Sequence, residues 1–337
     1  MPDERTCECL SLFSGIGGFD LGFEFAGCET VAQVEADGYC QTVLAHHWPE
    51  VPRYGDICEF DGRAYRGVDI ITGGFPCQDL SLAGRRAGLS GARSGLFYEM
   101  LRVVAEARPR LLVWENVPGL LSEDSGNAMR TVCAELADIG YFGAWRMLDS
   151  QFYGVPQMRR RVFGAFALGG AGGWASGAAV LLEPEGGCWH PETGRKAREK
   201  VAYCLDGGAG GDSGKEQQRT FVPEVSYACA ARDGKGVNQR GNQTTLVAHG
   251  PAYALRRDPG GIGQGHNTNY VADAAVRRLT PLECERLQGF PDGWTAVGGM
   301  SDTQRYKQIG NAVSVPVAYW IGLRAIAMLS EEAGDAD

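Results

Sequence analysis

No two of the eleven cysteines in this chain stand in a CxxC pair. An odd number without paired spacing excludes a disulfide framework and leaves a zinc site unexpected. Cys7-x-Cys9 and Cys188-x-His190 are spaced wrongly for a metal knuckle, so no metal is expected. Also lacking is an apolar run of the ~20 residues that a membrane span needs. The first eight residues are charged and lack the form of a signal peptide. The expectation is a soluble, cytoplasmic protein with no membrane partner. Net positive charge is missing too, at −9, which argues against a uniformly basic nucleic-acid binder. Its distribution softens that reading: residues 151–310 carry 19 Lys/Arg against 15 Asp/Glu, the remainder 13 against 26. One segment could therefore face phosphate while the other binds something else. The full G-x-G-x-x-G fingerprint is absent, which weakens a dehydrogenase reading.

What is present is a steady alternation of short apolar runs and helical patterns, in 337 residues that favour two domains or one with an insertion. Residues 9–13 read as a strand, Ser14-Gly15-Ile16-Gly17-Gly18 as a turn, and 19–26 as a helix. Strand, glycine turn and helix bring backbone N–H groups close to a ligand in doubly wound folds. A second strand over 30–34 ends at Glu35, where a carboxylate grips ribose hydroxyls or merely meets solvent. A helix over 38–48 follows, and Gly55-Asp56-Ile57 closes a third unit. Residues 68–72 form a β-branched strand that runs into Gly73-Gly74-Phe75-Pro76-Cys77. This density of alternation predicts a parallel, doubly wound α/β sheet.

Cys77 is the organising residue. Pro76 fixes its own φ and biases Phe75 towards extended backbone, so the thiol leaves the strand end in a constrained direction. That end is where open α/β sheets place ligands, although most free cysteines are small buried hydrophobes. The polar, Gly/Arg/Ser-rich stretch after it, 83–95, has the character of a mobile lid. Helical periodicity resumes over 96–107, and a buried strand over 111–114 ends at Glu115-Asn116-Val117-Pro118. In a parallel sheet Glu115 reaches the same edge as Cys77. A helix over 126–139 and strands over 145–149 and 162–168 follow, with Gln157-Met158-Arg159-Arg160-Arg161 between the strands. Alternate residues of an extended segment share a face, so Arg159 and Arg161 aim one way, suiting an anionic or carbonyl-rich ligand.

Five motifs carry a resemblance: Phe13-Ser-Gly-Ile-Gly-Gly, Gly74-Phe-Pro-Cys-Gln, Glu115-Asn-Val, Gln157-Met-Arg-Arg-Arg and Gln308-Ile-Gly-Asn-Ala-Val. In this order and spacing the chain resembles the C5-cytosine DNA methyltransferases. The resemblance implies a Rossmann-like domain for S-adenosylmethionine (AdoMet, leaving as S-adenosylhomocysteine) over 1–168. A β-rich target-recognition domain over 169–275 would follow, and 276–337 would complete it and return to the large domain. The implied reaction methylates C5 of a cytosine flipped out of a specific duplex sequence. By motif position, Cys77 would be the nucleophile, Glu115 the group at N3, and Arg161 the donor at O2, with Arg159 in support. Phe13, Gly15, Ile16, Gly17 and Gly18 would touch AdoMet. Glu35 would hold its ribose, Asp56 and Ile57 its adenine, and Leu96 an apolar flank. Pro76, Asn311 and Val313 would complete the cofactor site. The loop from Ser81 to Arg93 would close over DNA. The chain departs from the family at Ser11, where many members carry Asp, and at Ala36, where some carry an aromatic residue. The implied setting is a restriction-modification, orphan or phage modification system. The protein would be a monomer on double-stranded DNA, alongside a cognate restriction endonuclease where the system has one. A related branch that modifies tRNA, and an inert binding relic, are the competing readings; the intact Cys77, Glu115, Arg159 and Arg161 argue against the relic.

Within 169–275 the resemblance gives out. Residues 169–187 are Gly/Ala-rich and read as a connector. Beyond them Tyr203, Tyr227 and Tyr253 head three similar units, each a β-like run, a polar glycine-rich bend and a second β-like run. These predict three hairpin-like units with long tips. Among the residues at the tips, Arg232, Arg240, Asn242, Gln243, Arg256 and Arg257 are of the types that read guanine and adenine edges in the major groove.

Overall fold

The computed structural model describes residues 6–76, 95–122, 126–182, 244–248, 268–272 and 276–334. They fall into two compact units: one holds the described residues up to Leu148, those from Arg160 to 182 and those from Val313 onward. The other holds Asp149–Arg159 and the described residues between 244 and Ala312. Cys77, Ser81, Arg93, Arg232, Arg240, Asn242, Gln243, Arg256 and Arg257 lie outside the described residues.

The first unit begins β1 (Cys7–Leu12), α1 (Gly18–Phe25), β2 (Cys28–Val34), α2 (Gly38–His47) and β3 (Arg53–Tyr54). It continues with β4 (Ile70–Gly73), α3 (Leu96–Ala107), β5 (Leu111–Asn116), α4 (Asn127–Asp138), β6 (Tyr141–Asp149), β7 (Arg160–Leu168) and α5 (Gly170–Leu181). The seven strands lie in the order β3-β2-β1-β4-β5-β7-β6, so the chain reverses its direction of growth between β3 and β4, beside β1. Every residue of β4 and β5 is buried, as expected for strands covered on both faces. α3 supplies part of that cover: Phe97, Met100, Leu101, Val104 and Ala107 recur at helical spacing and are all buried.

Three expectations are corrected here. The sheet is not wholly parallel. β1 to β5 pair in parallel, but β7 runs antiparallel to β5, with Glu115 opposite Phe163 and Asn116 opposite Val162. Apolar runs look alike in either direction, so strand polarity was not readable from them. Second, the Gly/Ala-rich connector contains the helix α5. Its small residues serve close packing: a Cβ at Gly177 would stand 2.3 Å from the Ala165 carbonyl and 2.8 Å from the Gly143 Cα. Third, among the described residues one stretch, Asp302–Glu331, is long and apolar enough to span a membrane, and it includes most of the C-terminal helix Val315–Gly334. Ala318, Ile321 and Ala325 are fully buried, and the helix packs on α1 and α5 as a core helix of this unit. Its return is secured by Arg110 Nη2 donating to the Leu329 carbonyl at 2.8 Å and by Arg324 Nε donating to the Val180 carbonyl at 2.7 Å.

In the second unit, β8 (Thr244–Ala248), β9 (Thr268–Ala272) and β10 (Val276–Arg278) form a small sheet. β8 and β9 are the second runs of successive repeat units, and they pair in parallel, Thr244 opposite Thr268 and Val247 opposite Val271. The first run of each unit lies outside the described residues. Equivalent second runs thus share a ladder, as in stacked repeats. Two helices follow, α6 (Pro281–Gln288) and α7 (Asp302–Asn311), each opened by a capping box, Thr280 with Glu283 and Ser301 with Gln304. Glu285, fully buried, accepts from the Gly293 and Thr295 backbone N–H groups and from Arg305, which fixes the turn between the helices.

Candidate active site

At the carboxyl ends of β1 and β2 the chain builds a cradle. Phe13 holds a positive φ of 53°, and Gly15 and Gly17 follow at 57° and 83°. A non-glycine residue in the left-handed region is uncommon and points to a functional turn. Glu35 sits at the tip of β2, where its two carboxylate oxygens accept the Gly15 N–H at 2.8 Å and the Asp37 N–H at 2.7 Å. Burial pushes the Glu35 carboxyl above its ordinary range, while the Asp37 and Gly15 N–H bonds pull it back. Gly18 packs so closely on Val313 that a Cβ would stand 2.5 Å from the Val313 carbonyl, which brings Val313 beneath the turn. Ile16 is buried under it. Beyond β3, Asp56 is exposed and closes its own turn on Cys58, Ile57 is buried, and Leu96 is half-buried at the start of α3. A carboxylate for hydroxyls, glycine backbone and apolar side chains for a flat ring fit a nucleoside-bearing cofactor such as AdoMet.

Two residues support this cradle without a motif to announce them. Asp20, fully buried in α1, accepts from Ser11 Oγ at 2.9 Å and Gln33 Nε2 at 2.8 Å, tying the helix start to β1 and β2. Ser11 is the position where the family often has Asp, so here a carboxylate reaches the same neighbourhood from the helix. Arg102 on α3 donates from Nη2 to the Ile57 carbonyl at 2.7 Å and from Nη1 to the Phe60 carbonyl at 2.9 Å. Glu99 and Glu106 hold its guanidinium in place at 2.7 and 2.9 Å. Arg102 thereby shapes the Asp56–Phe60 loop. Its only sequence signal is the Glu99, Arg102, Glu106 spacing of three and four along a helix.

The chemistry-bearing edge lies where β4 and β5 end. Phe75 is buried against Phe97 and Trp114, with ring centroids 5.0 and 5.7 Å away, and anchors the turn whose exposed Pro76 leads to Cys77. Asn116 Nδ2 donates to the Phe75 carbonyl at 2.8 Å and so ties that turn to the end of β5. A Cβ on Gly74 would stand 3.4 Å from Glu115 Oε2, so this carboxylate borders the Gly-Phe-Pro turn itself. Arg161 Nε donates to Glu115 Oε1 at 3.0 Å, with both side chains largely buried. The pair exists because β7 is antiparallel: its first residues come in at the edge where β5 leaves. Arg161 Nη1 also donates to the Arg160 carbonyl at 2.8 Å.

Arg159 is buried in the second unit, where Nη1 donates to the Gly310 carbonyl at 3.0 Å and Nη2 to the Ala312 carbonyl at 2.8 Å. Its guanidinium clamps the backbone on either side of Asn311, whose own side chain is exposed at the end of α7. The shared face expected of Arg159 and Arg161 assumed one extended strand. β7 begins only at Arg160, so the alternation does not reach back to Arg159.

The fold is that of a doubly wound α/β protein, and the cradle at the carboxyl ends of β1 and β2 fits a nucleoside-type cofactor. Comparison with known proteins narrows the class. A family profile described as C-5 cytosine-specific DNA methylase matches residues 7–167 and 212–327. The Type II methyltransferase M.Eco47II of Escherichia coli is 32% identical over 98% of this chain and 82% of its own length. The Type II methyltransferase M.HhaI of Haemophilus parahaemolyticus is 29% identical over 93% of this chain and 92% of its own. In fold, the S. pombe Dnmt2 methyltransferase superposes with a TM-score of 0.60 at 20% identity, over 96% of this chain and 99% of that one. The chain belongs to the C-5 cytosine-specific DNA methylase family, and its activity is that of a DNA (cytosine-5)-methyltransferase. AdoMet is the cofactor that this family membership implies.

Proposed function

We propose that the chain methylates one cytosine of a specific duplex DNA sequence through a covalent adduct between Cys77 and C6 of the base. The observation that carries this reading is the buried Glu115–Arg161 pair at 3.0 Å, set against the turn that ends in Pro76. C5 of cytosine is a poor nucleophile until electrons are pushed into the ring. Addition of the Cys77 thiolate at C6 does so, giving enamine character at C5 and negative charge towards N3 and O2. Glu115 would bind N3 and share a proton with it. Arg161, oriented by Glu115 through Nε, would extend its fork to O2 as an oxyanion donor, and its positive charge favours the Cys77 thiolate. AdoMet, when bound, supplies an electrophilic methyl group. Once C5 carries that methyl, loss of the C5 proton expels the Cys77 thiolate and restores the aromatic ring.

None of these atoms is reachable in a stacked duplex, so the base is flipped out at a cost of about a few kcal/mol. The loop from Ser81 to Arg93 would close over the DNA to offset it. Glu35 would hold the ribose, Asp56 and Ile57 the adenine, and Asn311 the amino-acid end of AdoMet. Residues 200–272 would choose the sequence, with the stacked β-strands of the second unit as the frame for their polar tips. The names of the Type II relatives support a restriction-modification setting; an orphan or phage setting, a cognate restriction endonuclease and a monomer as the acting form remain part of the proposal.

The test is a mechanism-based trap. A duplex with 5-fluorocytosine at the target position cannot lose fluorine as a cation, so the adduct persists after methyl transfer. The full chain should give an AdoMet-dependent protein–DNA band that survives denaturation, and Cys77→Ala should give none. A band that persists in Cys77→Ala assigns the nucleophile to another cysteine. Trapping of a fluorinated tRNA in preference to the duplex would move the substrate to RNA.

A further inference from the structure

We propose that Cys7 and Cys28 form an oxidation site, which a peroxide-class oxidant converts into a disulfide across β1 and β2. The two residues are direct partners in the parallel ladder, and their sulfurs lie 3.2 Å apart. Both occur as free thiols. From this contact, only about 1 Å of closure separates the sulfurs from a bond of about 2.05 Å. The ladder slips register only beyond this pair, between Cys9 and Leu10.

Access orders the steps. Cys7 is half-exposed at the start of β1, whereas Cys28 is only 3% exposed. The Cys28 thiol is pushed well above its ordinary range by its hydrogen bond to Cys7, then by Cys9 and by burial, so it waits as a protonated thiol. The oxidant meets Cys7 first: thiol and hydrogen peroxide give the Cys7 sulfenic acid and one water. The Cys28 sulfur then attacks the Cys7 sulfur, the S–O bond breaks, and the departing oxygen takes the Cys28 proton as a second water. Two thiols are oxidised by two electrons and one peroxide is reduced. Cys9 shares the face of Cys7 but is 1% exposed, which places it out of the oxidant's reach. Six residues of strand separate Cys7 from Phe13, about 20 Å, so the cross-link lies at the end of the sheet away from the cofactor cradle.

The site is tested on the full, reduced chain treated with one equivalent of hydrogen peroxide, denatured in N-ethylmaleimide and digested with a glutamyl endopeptidase. Cleavage after Glu8 separates Cys7 from Cys9, and cleavage after Glu24 and Glu29 isolates Cys28. Mass spectrometry should find the Cys7 and Cys28 peptides joined, two hydrogens lighter than their sum, before the exposed Cys58 is lost. Dithiothreitol should restore both peptides, and Cys7→Ser should leave Cys28 fully alkylated. A Cys28 that stays alkylatable while Cys7 proceeds to the sulfinic acid overturns the proposal. So does a link joining Cys28 to Cys9, or any other pairing. The readout involves neither Cys77 nor methyl transfer, so it stands or falls apart from the proposed mechanism.

Discussion

Replacing Asp20 by asparagine should stabilise the protein at neutral pH and flatten part of its pH dependence. Asp20 is completely buried, and burial outweighs the bonds from Gln33 and Ser11, lifting its carboxyl from 3.8 to about 6. That shift of about 2.2 units corresponds to about 3 kcal/mol. Because the folded value lies above the unfolded one, the folded state holds this proton more tightly. The stabilising contribution is complete below about pH 4, is lost as pH rises towards about 6, and is gone at neutrality. The Asp20→Asn side chain stays neutral throughout. It keeps an acceptor for Ser11 and gains an N–H donor for Gln33, whose buried Oε1 has no hydrogen-bond partner and can accept once the amide turns over. Urea unfolding of both proteins across this range is the assay. The variant should lead by about 1.5 kcal/mol at about pH 5 and by about 3 kcal/mol at about pH 8. Parallel pH profiles would show that Asp20 is not the titrating group, and a variant less stable at pH 8 would refute the packing argument.

Glu115→Gln should lower single-turnover methyl transfer by about 10²–10⁴ while calorimetry finds AdoMet affinity nearly unchanged. Equal losses in both would contradict its place at N3. Arg102→Ala, by contrast, should raise the KM for AdoMet more than it lowers kcat, since Arg102 braces the carbonyls of the Asp56–Phe60 loop. A fall in kcat alone, with KM intact, would remove that loop from the cofactor site.

The first unit was largely legible because its signals are local. Residues 96–107 carry a helical apolar face and form a helix over those residues, and the run 111–114 ends in Glu115 at a sheet edge. The glycine turn before α1 and the carboxylate at the tip of β2 stand where strand–turn–helix spacing places them. Other features are relations between distant segments. Asp20 is an unremarked acid in a helix until Ser11 and Gln33 close on it, and Asn116 is a motif residue without a task until it holds Phe75. Cys7 and Cys28, 21 positions apart, become a pair only through strand register.

The amino-acid sequence by itself determined the alternation of strands and helices in a doubly wound α/β unit and the order of its motifs, because periodicity, turn residues and motif spacing are written along the chain. Only the tertiary structure decided which way β7 runs, and with it that Arg161 meets Glu115 while Arg159 clamps the backbone around Asn311. Strand polarity and side-chain partnership are settled by long-range pairing and by the need to satisfy buried charge. Neither of these leaves a periodic trace in the residues themselves.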